Sequence, residues 1–301
     1  MFENLAGDQL VFRCDSLPKA VLTCFILATS YVGSLYVWRT NLPRDDPNTI
    51  KRRSLSAAAV TLLAPICVLT QAYRAEAGKG YSIWQYLGIR QAGLLPSFCL
   101  PLLLTMFLFL GPLYMLLLGD SRQSLPIKEM PRKWWANSGG LAVAIRNYIV
   151  GPITEEVVFR ACMLPLLVPC LGNLQAIFVC PLFFGVAHVH HVIEGLRQGV
   201  KKPLVVWFAA IFQFFYTTVF GALSAFIFLR TGHLIACIIT HMFCNFMGFP
   251  AFEEIPNHTL LQRVVICAVF LTGLSLFVCL LLPLTNPEWF ANETYRWSQV
   301  W

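Results

Sequence analysis

Eight apolar stretches, each near the length that crosses a lipid bilayer, follow one another along this chain, at roughly 20–38, 55–72, 95–118, 141–170, 174–190, 204–229, 231–249 and 262–284. About 20 residues of helix span the ~30 Å hydrocarbon core of a bilayer. In that medium every backbone N–H and C=O must be satisfied within the protein, so such stretches become helices. Composition agrees: charged residues make up 12% and mean hydropathy is +0.65, whereas soluble domains carry about 25% charged residues. The expected fold class is all-α, a polytopic integral membrane protein of about eight transmembrane helices, with 1–301 forming a single domain. The fourth stretch is too long for one simple crossing and holds Pro152, Pro165 and Pro169, and the fifth and seventh are short. Some spans are therefore expected to be short or broken.

The net charge of +7 does not mark a nucleic-acid partner, because the basic residues fall between apolar stretches rather than along one stripe. Read as topology signals, they favour the segments 39–53, 119–140, 191–203 and 250–263 on the cytosolic side and both termini on the other. Polar residues up to Lys19 precede the first apolar run, so that run is expected to act as a signal anchor rather than a cleaved peptide. Eleven cysteines without a CxxC pair, mostly in apolar surroundings, are expected to serve as small lipid-compatible side chains rather than as a disulfide framework. Of two N-glycosylation sequons, Asn292-Glu293-Thr294 is expected on the luminal side and open to modification, and Asn257-His258-Thr259 on the cytosolic side.

Against this apolar background Glu155 and Glu156 stand out, since a carboxylate within the bilayer costs several kcal/mol and marks function by default. Successive helical side chains point about 100° apart, so the two glutamates face different ways. Glu156 and Arg160 are i,i+4 neighbours and form the expected supporting pair, which leaves Glu155 aimed elsewhere. His188 follows Gly185 and Ala187, small residues that let helices approach closely; His190 and His191 read as an interfacial patch. His241 and Asn245, again i,i+4, put two hydrogen-bonding groups on one helix face. His233 reads as interfacial. The expected topology carries Glu155, His188, His241 and Asn245 to a similar depth in the cytosolic half.

These residues support two chemistries. In one, Glu155 and His188 activate a water while His241 and Asn245 hold the oxyanion of a tetrahedral intermediate. In the other, Glu155, His188 and His241 ligate a zinc ion that activates the water. The chain has no HExxH, the strongest zinc-protease signal, which weighs against the metal. A GxSxG serine is also missing.

The ordered motifs EExxxR, FxxxH and HxxxN, at Glu155–Arg160, Phe184–His188 and His241–Asn245, resemble the CPBP (also called ABI) family of intramembrane proteases. The stretches Ser34–Trp38, Leu42–Asp45 and Ile50–Arg53, with Gly151-Pro152, resemble its eukaryotic CAAX-processing, Ras-converting branch in particular. The resemblance implies an endoplasmic reticulum enzyme, its site facing the cytosol, that removes the last three residues from prenylated CaaX proteins such as Ras-like small GTPases. It implies Glu155 and His188 as water activators, His241 and Asn245 as oxyanion stabilisers, Glu156 and Arg160 as support, and no cofactor, zinc being the less favoured alternative. The competing classes are a non-catalytic membrane scaffold and a proton-coupled transporter using the same glutamates. A transporter needs a polar path across the membrane, and these residues gather on one side.

Overall fold

The computed structural model describes residues 9–38, 42–76, 78–118, 140–190, 192, 195–196 and 203–295. The basic segments expected within 119–139 and 197–202, and His191, lie outside the described residues. The chain is helical almost throughout. Strand β1 (Leu10–Phe12) pairs antiparallel with β2 (Ala72–Arg74), Val11 facing Tyr73. Helix α1 (Leu17–Ser34) lies between β1 and α2 (Pro47–Leu69), which Asp46 caps by accepting from Asn48 N and Thr49 N. A short α3 (Ile83–Tyr86) leads to α4 (Leu94–Leu108) and α5 (Leu110–Leu118), which meet at a 70° bend.

The glutamate segment is one helical rod of uneven pitch. α6 (Leu141–Ile145) widens to π turns over Arg146–Val150, tightens in α7 (Gly151–Glu156), and widens again over Val157–Cys162. Pro152 supplies a reason for the first widening, since it has no N–H for the carbonyl four residues back and its ring crowds that carbonyl. Such wide turns gather at functional sites. Next come α8 (Leu164–Ala187), α9 (Pro203–Thr231), α10 (Leu234–Met247) and α11 (Leu260–Leu281). The helical stretch of α8 is broken at Gly172, whose φ of +74° and ψ of 168° suit glycine. There the chain doubles back: Cys180 Sγ donates to Phe159 O at 2.9 Å, and the rings of Phe159 and Phe184 lie 5.1 Å apart.

By length and composition α1, α2, α9 and α11 suffice to cross a membrane, as does α8 when its two arms across Gly172 are counted together, and the bent α4–α5 pair makes a sixth. α10, with 14 residues, and the glutamate rod fill the remaining two of the eight expected positions. The protein is a multi-pass membrane protein, and its apolar exposure fits: Leu62, Phe208, Val219 and Leu260 face outward. α8 and α9 come together through glycines, because a Cβ on Gly185 would strike Thr218 and one on Gly221 would strike Pro181 and Arg160.

The cysteine expectation is corrected. Cys14 and Cys170 form a disulfide with their Cα atoms 4.8 Å apart, joining the chain before α1 to the first arm of α8. Cys14 lies in the segment between β1 and α1 and Cys170 within the first arm of α8, so only the fold brings them together. The other described cysteines are free.

A second cluster holds the same end of the bundle. Arg90 donates to four carbonyls, Thr231, Gly232, Phe290 and Ala291, at 2.6–3.0 Å. Asn292 donates to Leu229 O and Arg230 O at 2.8 and 3.0 Å, so the last turn of α9 is capped by side chains. Gly232, at φ +62°, takes the turn into α10, and any Cβ there would strike Asn292. Two further expectations change here. Asn292 is buried with its amide engaged, so the folded protein does not offer it to a glycosyltransferase. His233 is not interfacial but fully buried, its Nε2–H donating to Ala92 O at 2.7 Å.

Candidate active site

At the opposite end, a cavity of about 400 Å³ opens between α1, α2, the glutamate rod, α8, α9 and α10. Glu155, His188, His241 and Asn245, expected together from sequence, all line it. α1, 18 residues or about 27 Å of helix, runs from the disulfide beside its first turn to this cavity, which Tyr31, Val32 and Leu35 line. The cavity and the disulfide are thus about one bilayer core apart.

The two glutamates divide as their spacing demands. Glu156 is fully buried and does not face the cavity. One of its oxygens, Oε1, accepts from His241 Nδ1 at 2.7 Å; the other, Oε2, accepts from Ser224 Oγ at 2.7 Å and lies 3.3 Å from Arg160 Nε. Arg160, also fully buried, lays its guanidinium over Phe184 at 4.3 Å and Phe220 at 5.8 Å from the ring centroids. Its Nη1 and Nη2 have no hydrogen-bond partner among the described residues, so the aromatic faces and Glu156 together balance its charge. The expected Glu156–Arg160 pair is present, and it carries a load the sequence did not show: Glu156 also orients His241.

Glu155 turns into the cavity with 22% of its side chain exposed, Oε2 lying 3.7 Å from His241 Nε2. The His241 ring therefore bridges the two carboxylates, one nitrogen toward each. His188 donates through Nδ1–H to Phe184 O at 2.8 Å, which leaves Nε2 as the nitrogen with a lone pair. Asn245 donates one amide hydrogen to Asn147 O at 2.8 Å, which fixes its side chain while its second amide hydrogen remains for a ligand. Tyr31 OH meets Thr154 Oγ at 2.8 Å, and Thr154 itself donates to Val150 O, so the tyrosine hydroxyl is the donor between them and ties α1 to the glutamate rod.

The arrangement offers a carboxylate and an imidazole nitrogen beside open volume, with an amide and a second imidazole across from them. That suits general-base attack by water on a carbonyl and stabilisation of the oxygen that becomes charged. Among the described residues, no three His, Cys, Asp or Glu side chains gather closely enough to hold a metal ion. His190 also lines the cavity, with its Nδ1–H donating to Ala187 O. Sequence reading missed Ser224, whose only signal was a small polar residue near Gly221 in an otherwise apolar helix. It also missed three cavity residues: Arg44 and Arg53, which read as topology charges, and Arg146, which lies inside the fourth apolar stretch.

Comparison with known proteins shows where the chain's similarities lie. The family described as "Type II CAAX prenyl endopeptidase Rce1-like" matches residues 137–247, the span that holds every residue of the expected constellation. The chain is 47% identical to the CAAX prenyl protease 2 of Homo sapiens over 91% of its length and 83% of that protein. It is 44% identical to the rat protein of that name, over 91% and 82%, and 32% identical to the Arabidopsis thaliana one, over 93% of each. No solved structure matches.

Proposed function

This chain belongs to the Rce1-like type II CAAX prenyl endopeptidases, and from that premise we propose that it hydrolyses the peptide bond after the prenylated cysteine of CaaX proteins, releasing the C-terminal tripeptide, through a water activated by Glu155 and His188. The observation that carries the reading is that Glu155, His188, His241 and Asn245, from three separate helical segments, line one cavity. Glu155 draws the proton from water as the oxygen attacks the scissile carbonyl, and His188 Nε2 positions that water. The carbonyl oxygen, now negative, accepts from Asn245 and from His241 Nε2. For His241 Nε2 to donate there while Nδ1 donates to Glu156, the step needs a proton on each ring nitrogen. The proton then passes to the leaving amine.

The reading is metal-free. Elemental analysis of the purified, active protein should find no stoichiometric zinc, and a 1:1 zinc content with loss of activity on chelation would replace the general-base scheme. The substrates are membrane-anchored prenylated proteins, Ras-like small GTPases among them, and the place of action is the endoplasmic reticulum membrane with the cavity facing the cytosol. Two independent features support that orientation. Arg44 and Arg53 cluster at the cavity end, while the disulfide lies at the other end, and disulfides persist in oxidising compartments such as the lumen.

The test is cleavage of a farnesylated CaaX peptide by purified protein. Glu155→Ala, His188→Ala and His241→Ala should each lower turnover by about 100-fold or more, the range for loss of a general base or an oxyanion donor. Normal cleavage by Glu155→Ala would sink the catalytic assignment. Absence of cleavage by the folded wild-type protein would favour the scaffold reading.

A further inference from the structure

One wall of the cavity is unlike the rest. Arg44, Arg53 and Arg146 bring three cations to the cavity lining, and Arg146 Nη1 donates to Arg44 O at 3.3 Å. Arg146 is fixed there, its Nη1 donating to Asp45 Oδ1 at 2.8 Å and its Nε to Asn147 Oδ1 at 2.9 Å. Arg53 is half-buried on α2 with its guanidinium 5.0 Å from the ring centroid of Tyr36. Arg44 precedes the Asp46 cap of α2, and its charge reaches Glu155. Each guanidinium carries its five N–H donors in a planar fork whose shape matches a carboxylate. Water activation needs none of these three cations.

Their distance from the hydrolytic groups has a meaning. Arg146 and Glu155 stand nine positions apart on one rod, about 13 Å of helical rise. Three extended residues reach about 10 Å, and an arginine side chain covers the remainder. A substrate with its scissile carbonyl at Glu155 would then set its chain end among the arginines. That end carries a free α-carboxylate, the anion an arginine fork matches with two parallel hydrogen bonds.

We propose that Arg53 and Arg44, backed by the fixed charge of Arg146, form a subsite for the substrate's C-terminal carboxylate, and that this subsite measures three residues from the chain end to the bond that is cut. The proposal rests on the endopeptidase reading above and extends it to the choice of bond. Basic residues upstream of the prenylated cysteine gain nothing from this wall, because like charges repel; the wall reads the acid at the other end.

The experiment compares two farnesylated peptides of one sequence, one ending in the free carboxylate and the other in a carboxamide. Wild-type protein should favour the acid by about 10- to 100-fold in kcat/KM, the worth of one or two charge-assisted hydrogen bonds. Arg53→Ala and Arg44→Ala should each shrink that ratio, and the double variant should bring it near one. Arg53→Lys should restore part of it, since an ammonium keeps the charge without the fork. Arg52→Ala removes a neighbouring cation that lies over Trp38 outside the cavity, and should leave the ratio intact. The ratio does not depend on the folded fraction of any variant. Equal cleavage of both peptides by the wild type, or an unchanged ratio in the Arg44/Arg53 double variant, overturns the subsite. Cleavage of neither peptide by the wild type overturns the endopeptidase reading itself.

Discussion

Two buried polar clusters lie at opposite ends of this bundle, and they are satisfied in different ways. At the disulfide end, Arg90 and Asn292 bond to main-chain carbonyls, six contacts that close the end of α9 onto the C-terminal segment. At the cavity end, Glu156, Arg160, Ser224 and His241 bond to one another, and the network stops at a ring nitrogen that faces Glu155 and open volume. Arg90 and Asn292 line no part of the cavity, so their bonds serve structure alone. The second network leaves an atom facing the cavity, and that atom can take part in chemistry. Burial by itself does not separate the two cases.

The contrast can be broken in four places. The largest effect belongs to Glu156→Gln, which leaves Arg160 buried without its counter-charge and His241 without its anchor. It should cost about 3–5 kcal/mol of stability and also lower kcat in the fraction that folds, read by thermal unfolding in detergent beside the peptide assay. Arg90→Ala should destabilise by about 3 kcal/mol, since several charged hydrogen bonds are lost together, yet kcat/KM per folded molecule should hold. A fall in kcat/KM equal to that of Glu156→Gln would erase the distinction. Cys14→Ser should remove about 2–4 kcal/mol, again with catalysis per folded molecule intact. Ser224→Ala is the mildest, about 1 kcal/mol for one lost hydrogen bond to a carboxylate, and should move kcat only slightly because Arg160 and His241 still hold Glu156.

A null effect sharpens the same comparison: Asn292 should carry no glycan, read as an unchanged gel mobility after glycosidase treatment. A shift would mean that the glycan is attached before the Asn292 cap folds.

The cavity end was the more legible in sequence. Charge inside an apolar helix is expensive, so Glu155, Glu156 and Arg160 announced themselves, and the i,i+1 and i,i+4 spacings set their directions. His188 followed from its depth and the small residues before it, and the His241–Asn245 pair from its depth and i,i+4 spacing. The disulfide end was silent, because its polar groups sit in loops where polar residues are ordinary. Asn292 and His233 looked like surface, and nothing local in Cys14 or Cys170 tells of a partner 156 positions away. Hydrophobic periodicity likewise showed where helices run, but not their pitch. The two wide turns around Glu155 depend on which carbonyl each N–H reaches, and that is decided by packing against α1, α2 and α10.

Those wide turns make the aim of Glu155 a matter of counting as well as of residue type. Were the turn at Arg146–Val150 to close to ordinary pitch with every residue kept, everything after it would swing by about 100°. Thr154 would then face the cavity and Glu155 the seam with α9, while Glu156 left Arg160 and His241 unheld. Such a rod would keep every motif letter for letter and present no glutamate to the water.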